Sequence, residues 1–90
     1  MNNLCVLYGK LEILAENKKV AADDSEIRIF HNKKLYSMTI TDYQGNFKHV
    51  LPVGFGEVEL EFVADDFENI RTKAVIKDEN VDIGTFVFRK

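Results

Sequence analysis

Apolar and polar residues alternate with a period of two along most of this chain, and the alternation breaks at short clusters of Gly, Pro, Asn, Asp and Lys. A period of two places successive side chains on opposite faces of an extended strand; a helix repeats its apolar positions every three to four residues. The clearest case is 57–63, where Val58, Leu60 and Phe62 alternate with Glu57, Glu59 and Glu61. It predicts a strand with a buried apolar face and an acidic outer face. Six more stretches read the same way: 4–14, 26–31, 35–41, 47–51, 70–76 and 81–88. Ile27 and Ile29 point inward in the second, and Tyr36, Met38 and Ile40 alternate with Ser37, Thr39 and Thr41 in the third.

The breaks carry turn chemistry. Gly9, inside the first stretch, marks a bulge or a close approach of two backbones. Segment 15–25 reads as a polar connection that turns at Glu16-Asn17-Lys18-Lys19, with Val20 anchoring it to the core. A helix over 11–22 is the competing reading there; Asn17 and the surrounding strands oppose it. Tyr43-Gln44-Gly45-Asn46 predicts a tight hairpin loop in which Gly45 takes a positive φ and Asp42 accepts from backbone amides. Pro52 lacks the amide a ladder needs and ends its strand. Gly54 and Gly56 make the next turn, Phe67 pins the loop 64–69, and Gly84 marks a bulge in the last strand. Seven strands at about ten-residue spacing predict an all-β protein, an antiparallel Greek-key β-sandwich of Ig-like type, forming one domain over 1–90.

Composition narrows the function classes. Ninety residues with 46% apolar content, 7 Phe and 3 Tyr supply one core. The net charge of −3 opposes a nucleic-acid-binding surface, which needs a basic excess. Cys5 is the one cysteine, so no intrachain disulfide forms, and its place in the first strand reads as a small buried apolar residue. The first eight residues lack the basic start and long apolar run of a signal peptide, and no stretch has the length of a membrane helix. The expectation is a cytoplasmic location if the chain is full length, with no membrane insertion.

The order of landmarks resembles the carboxypeptidase regulatory-like domains, whose fold is the transthyretin-like sandwich. The resemblance is carried by Gly9, Ile27-Arg28-Ile29, Thr41-Asp42-x-x-Gly45-x-Phe47, Leu51-Pro52-x-Gly54, Phe67 and Val81-x-Ile83-Gly84. It spans nearly the whole chain. The chain departs from the family pattern at Ala22-Asp23-Asp24-Ser25 and at Asp66, where the family has glycine before the loop aromatic. The resemblance implies a non-catalytic domain that accompanies a larger protein or repeats in a surface assembly. A hydrolase branch of the same fold ends in Tyr-Arg-Gly-Ser, and this chain ends Phe86-Val87-Phe88-Arg89-Lys90.

Candidate chemistry is sparse. His31 and His49 match no zinc spacing. Asp23-Asp24, Asp42, Asp65-Asp66 and Asp78-Glu79 read as solvated turn residues, since no Asp-x-Asp-x-Asp-Gly loop is present to gather calcium oxygens. Lys10, Glu59 and Asn80 do not fit an isopeptide triad, because Glu59 points outward and the last strand lacks asparagine. No catalytic, cofactor-binding or metal-ligating residue is assigned. Phe30, Tyr43, Phe55 and Val87 fall outside the inward alternation and are the expected protein-contact residues. The expected function is accessory: spacing, positioning or oligomerising through a protein partner or self-association. A subunit of a virion or other self-assembling complex is one alternative. A carbohydrate- or surface-adhesion module is another, poorly supplied because the chain has no Trp.

Overall fold

A computed structural model describes residues 3–90. Eight strands follow in order: β1 (Leu4–Ala15), β2 (Lys18–Ala21), β3 (Glu26–His31), β4 (Lys34–Ile40), β5 (Asn46–Pro52), β6 (Gly56–Val63), β7 (Ile70–Ile76) and β8 (Val81–Phe88). They form two four-stranded sheets, and no described residue is helical. One sheet runs β4-β3-β6-β7. The other is built around β1, which pairs with β5 over Leu4 to Lys10 and with β2 over Glu12 to Ala15. β8 runs parallel to β1 from Leu7 to Ile13. A strand has only two edges, so β5 and β2 share one edge of β1 end to end while β8 takes the other. The remaining pairs are antiparallel.

The expected count of seven strands is corrected to eight. The segment read as a polar connection contains β2, which makes a two-residue hairpin with β1 through Glu16 (φ 51°) and Asn17 (φ 65°). Two successive positive φ angles match the right-handed twist of the flanking strands. The Glu-Asn pair hides this turn, because the usual signal is glycine at the second position. Val20 is 45% exposed and does not anchor the segment to the core. Ala22 does so instead: it is fully buried, and its amide donates to the Leu11 carbonyl at 3.0 Å. β3 and β4 turn through Asn32 (φ 52°) and Lys33 (φ 66°) by the same geometry.

The core lies between the sheets. Leu7, Leu11, Ile27, Ile29, Leu51, Leu60, Phe62, Ile76 and Phe88 are at most 1% exposed. Val58, Leu60 and Phe62 face inward as the alternation requires, and the Phe62 ring packs at 5.7 Å from Phe47 and 5.0 Å from Phe86. Fully burying a side chain of this size contributes about 1.5–3 kcal/mol.

Two glycines are required by their surroundings. A Cβ on Gly9 would come within 2.9 Å of the Gly84 carbonyl oxygen and of Ile83, so β1 and β8 can approach only if that position is bare. β8 carries an extra residue there: Tyr8 pairs with Asp82, and Lys10 with Thr85. Gly45 has φ 83°, and a Cβ would collide with the Leu11 carbonyl oxygen. Its own carbonyl accepts from the Leu11 amide at 2.8 Å, which ties the β4–β5 loop to β1 between its pairings with β5 and β2.

Candidate contact surface

Among the described residues, β4 is an edge of its sheet and pairs only with β3. Its register is fixed at the far end by Thr41, which is 1% exposed. The Thr41 amide donates to the Ser25 carbonyl at 2.9 Å, the Ser25 amide donates to Thr41 Oγ1 at 2.9 Å, and that hydroxyl donates to the Ala22 carbonyl. Asp42 caps the following loop through one carboxylate oxygen, which accepts from the Gln44 amide at 2.9 Å and the Asn46 amide at 3.0 Å.

This anchoring decides which backbone groups of β4 are free. Thr41 opposite Ser25 is a hydrogen-bonded position of the antiparallel ladder, and such positions alternate. Thr39 opposite Ile27 and Ser37 opposite Ile29 are therefore bonded to β3. The amide and carbonyl groups of Met38 and Ile40 point away from β3, towards the open edge. Their side chains lie on the outer face of the sheet, beside Arg28 and Glu26. Met38 is 53% exposed and Ile40 59%.

A bulge interrupts the strand at its start. Ile29 pairs with Ser37 and Phe30 with Leu35, which leaves Tyr36 as the additional residue. Leu35 and Tyr36 are consequently both exposed. The edge thus presents four large apolar side chains in a run, 35–41, that carries no charge and no proline.

The expected contact residues are dispersed. Tyr43, 77% exposed, stands on the loop just past β4. Phe30 is half-buried beside the bulge. Phe55 is half-buried at the opposite end of β4 from Tyr43. It stacks on His31 at 3.8 Å and 21°, lies 4.7 Å from Tyr36, and its carbonyl accepts from His31 Nε2 at 3.0 Å. Val87 is half-buried on the other sheet, opposite Glu12. Leu35, Tyr36, Met38 and Ile40 escaped the sequence reading, because alternation shows that a strand has an apolar face but not whether another layer covers it.

Beside the end of β4 lies an open groove of about 1120 Å³, lined by Tyr8, Ile40, Tyr43, Lys48 and the carboxylates Asp23, Asp24 and Asp42, among others. It brings three acidic residues to the Ile40 end of the edge, whereas Lys33 and Lys34 stand at its start. Among the described residues, no group of three or more His, Cys, Asp or Glu is placed to hold a metal ion.

The middle of the same outer face is an ion-pair network. Glu61 is 6% exposed, although it lies on the outward side of β6. Arg28 Nη1 reaches it at 3.3 Å and Arg71 Nη2 at 2.9 Å, and Arg28 Nε also bonds Glu26 at 2.7 Å. Burial alone would push the Glu61 carboxyl up. Hydrogen bonds from Arg71, Asn69 and Arg28, with the Arg71 charge, outweigh it and hold the group below its ordinary range.

A scan against protein-family models finds no match for the chain, and a search of curated proteins finds no relative.

Proposed function

We propose that this chain is a non-catalytic β-sandwich module that acts through protein–protein contacts, spacing, positioning or oligomerising what it joins. The fold detail proposed with it is the Greek-key, transthyretin-like arrangement of the carboxypeptidase regulatory-like domains. The four crossings between sheets, at β2–β3, β4–β5, β5–β6 and β7–β8, support that arrangement.

One observation carries the contact reading: β4 exposes Leu35, Tyr36, Met38 and Ile40 along an unpaired sheet edge. A monomer that works alone has reason to charge or cover such an edge, since unpaired amides beside apolar side chains recruit another chain. The test combines absolute mass by light scattering over a wide concentration range with crosslinking in the source cells. The wild-type chain is expected to be held by itself or by one defined protein. Replacing Met38 and Ile40 with threonine is expected to weaken that contact about tenfold or more. A chain that stays monomeric throughout, with crosslinked partners unchanged by the replacement, overturns the reading.

A further inference from the structure

We propose that the occupant of the β4 edge is a second copy of this chain, paired antiparallel through β4 about a twofold axis at Met38. This rests on the contact reading above and names its partner.

Three observations converge on self-pairing. The first is backbone chemistry. Met38 and Ile40 turn their amide and carbonyl groups to the open edge, so Met38 can exchange both bonds with Met38 of the second copy while Ile40 falls opposite Tyr36. In this register Ser37 falls opposite Thr39 without bulk, and the regular run 37–40 ends at the bulge residue Tyr36.

The second is charge. β4 starts at Lys34, just after Lys33, and is followed two residues past its end by Asp42, with Asp23 and Asp24 close by. An antiparallel twofold carries the lysine end of each copy to the acidic end of the other, and the run between them is uncharged. A parallel arrangement would stack like charges at both ends. This polarity is self-complementary, as an isologous interface requires.

The third is the comparison with the other edges. β7 carries Arg71 and Lys73, β2 is four residues long with Lys18 and Lys19, β5 carries Lys48, and β8 is bulged at Gly84 and carries Asp82. Each has a device that discourages strand addition. On β4 the bulge at Tyr36 leaves 37–40 regular and bare. Pairing extends the sheet across both copies and gathers Met38 and Ile40 of each into one apolar strip on the outer face.

Met38→Pro tests the pairing. Its amide makes no bond to β3, so proline is tolerated in the monomer at this edge position but removes a donor from the pair. Ile40→Lys and Lys34→Glu are independent variants, one adding charge to the strip and one opposing Asp42 with a like charge. Light scattering is expected to show a wild-type dimer whose dissociation constant rises about tenfold or more in each variant. Amide exchange gives a second readout: Met38 and Ile40 should become protected as concentration rises, while Lys18 and Lys19 on β2 should not. A wild-type chain that remains monomeric overturns self-pairing and leaves the contact reading to the crosslinking result. A dimer unaffected by Ile40→Lys, without concentration-dependent protection of Met38, also overturns self-pairing, while its self-association upholds the contact reading.

Discussion

The two edges of the β4-β3-β6-β7 sheet differ although both are amphipathic strands of seven residues. β7 buries Ala74 and Ile76 and turns Arg71 and Lys73 outward, where they pair with Glu61 at 2.9 Å and Glu57 at 3.6 Å. β4 buries none of its large apolar side chains and leaves all four, Leu35, Tyr36, Met38 and Ile40, at 48–59% exposure. One edge is finished by charge, and the other is held in place from its end by Thr41 and left bare along its length. The same local pattern therefore serves a closed surface or an open one, and the deciding factor is what lies opposite the apolar face.

Releasing β4 from its anchor should cost the molecule most. Thr41→Val keeps the shape but removes a hydroxyl that accepts from the Ser25 amide and donates to the Ala22 carbonyl, both in a buried setting. Two backbone groups lose their partner at about 1–3 kcal/mol each, so a loss of about 2–6 kcal/mol is expected in urea unfolding. If the anchor also sets the edge, self-association should fall in the same variant, whereas the exchange protection of β7 amides should fall only with global stability.

The origin of the Thr41 effect shows how far the sequence could be read. Thr41-Asp42-x-x-Gly45 announced its turn, and the positive φ of Gly45 and the two amide bonds to Asp42 follow from local chemistry. The expected hairpin is corrected to a crossing between sheets, since β4 and β5 lie in different sheets. The inward alternation of β3 and β6 was equally legible, because it is a local period. What the sequence could not show depends on layers meeting. The β1–β2 hairpin uses Glu16 and Asn17 at positive φ, a turn with no glycine to mark it. The bare face of β4 has the same alternation it would have if buried. Glu61 reads as one of three equivalent outward glutamates, and only the register that sets Arg28 and Arg71 on either side singles it out.

A smaller effect is expected on the charged side. The Glu61 carboxyl is held below its ordinary value, so the folded state binds its proton less readily than the unfolded state. The resulting stability is present above the unfolded value of about 4.5 and is lost as the pH falls through the lower, folded value. Glu61→Gln should remove that part of the acid sensitivity while keeping the shape, and thermal melts at pH 7 and pH 3 should converge relative to wild type. It should leave β4 association at pH 7 unchanged, since Glu61 lies on β6 and is separated from β4 by β3.

At the β7 edge, a substitution that hardly alters stability should still alter assembly. Lys73 is 64% exposed in its side chain and its partner Glu57 59%, at 3.6 Å, a geometry in which an ion pair contributes about 0–1 kcal/mol. Lys73→Val should therefore shift the unfolding midpoint little. It should still matter at high concentration, because 72–76 becomes an uncharged run beside the already exposed Val75. A chain with one bare edge closes as a pair and stops, whereas a chain with two adds copies at both ends without closing. Light scattering should then report masses beyond the dimer for Lys73→Val and return to the monomer when Ile40→Lys is added together with restored Lys73. If Lys73→Val stays at the wild-type mass, charge on β7 is not what keeps that edge shut, and the contrast between the two edges lies in β4 alone.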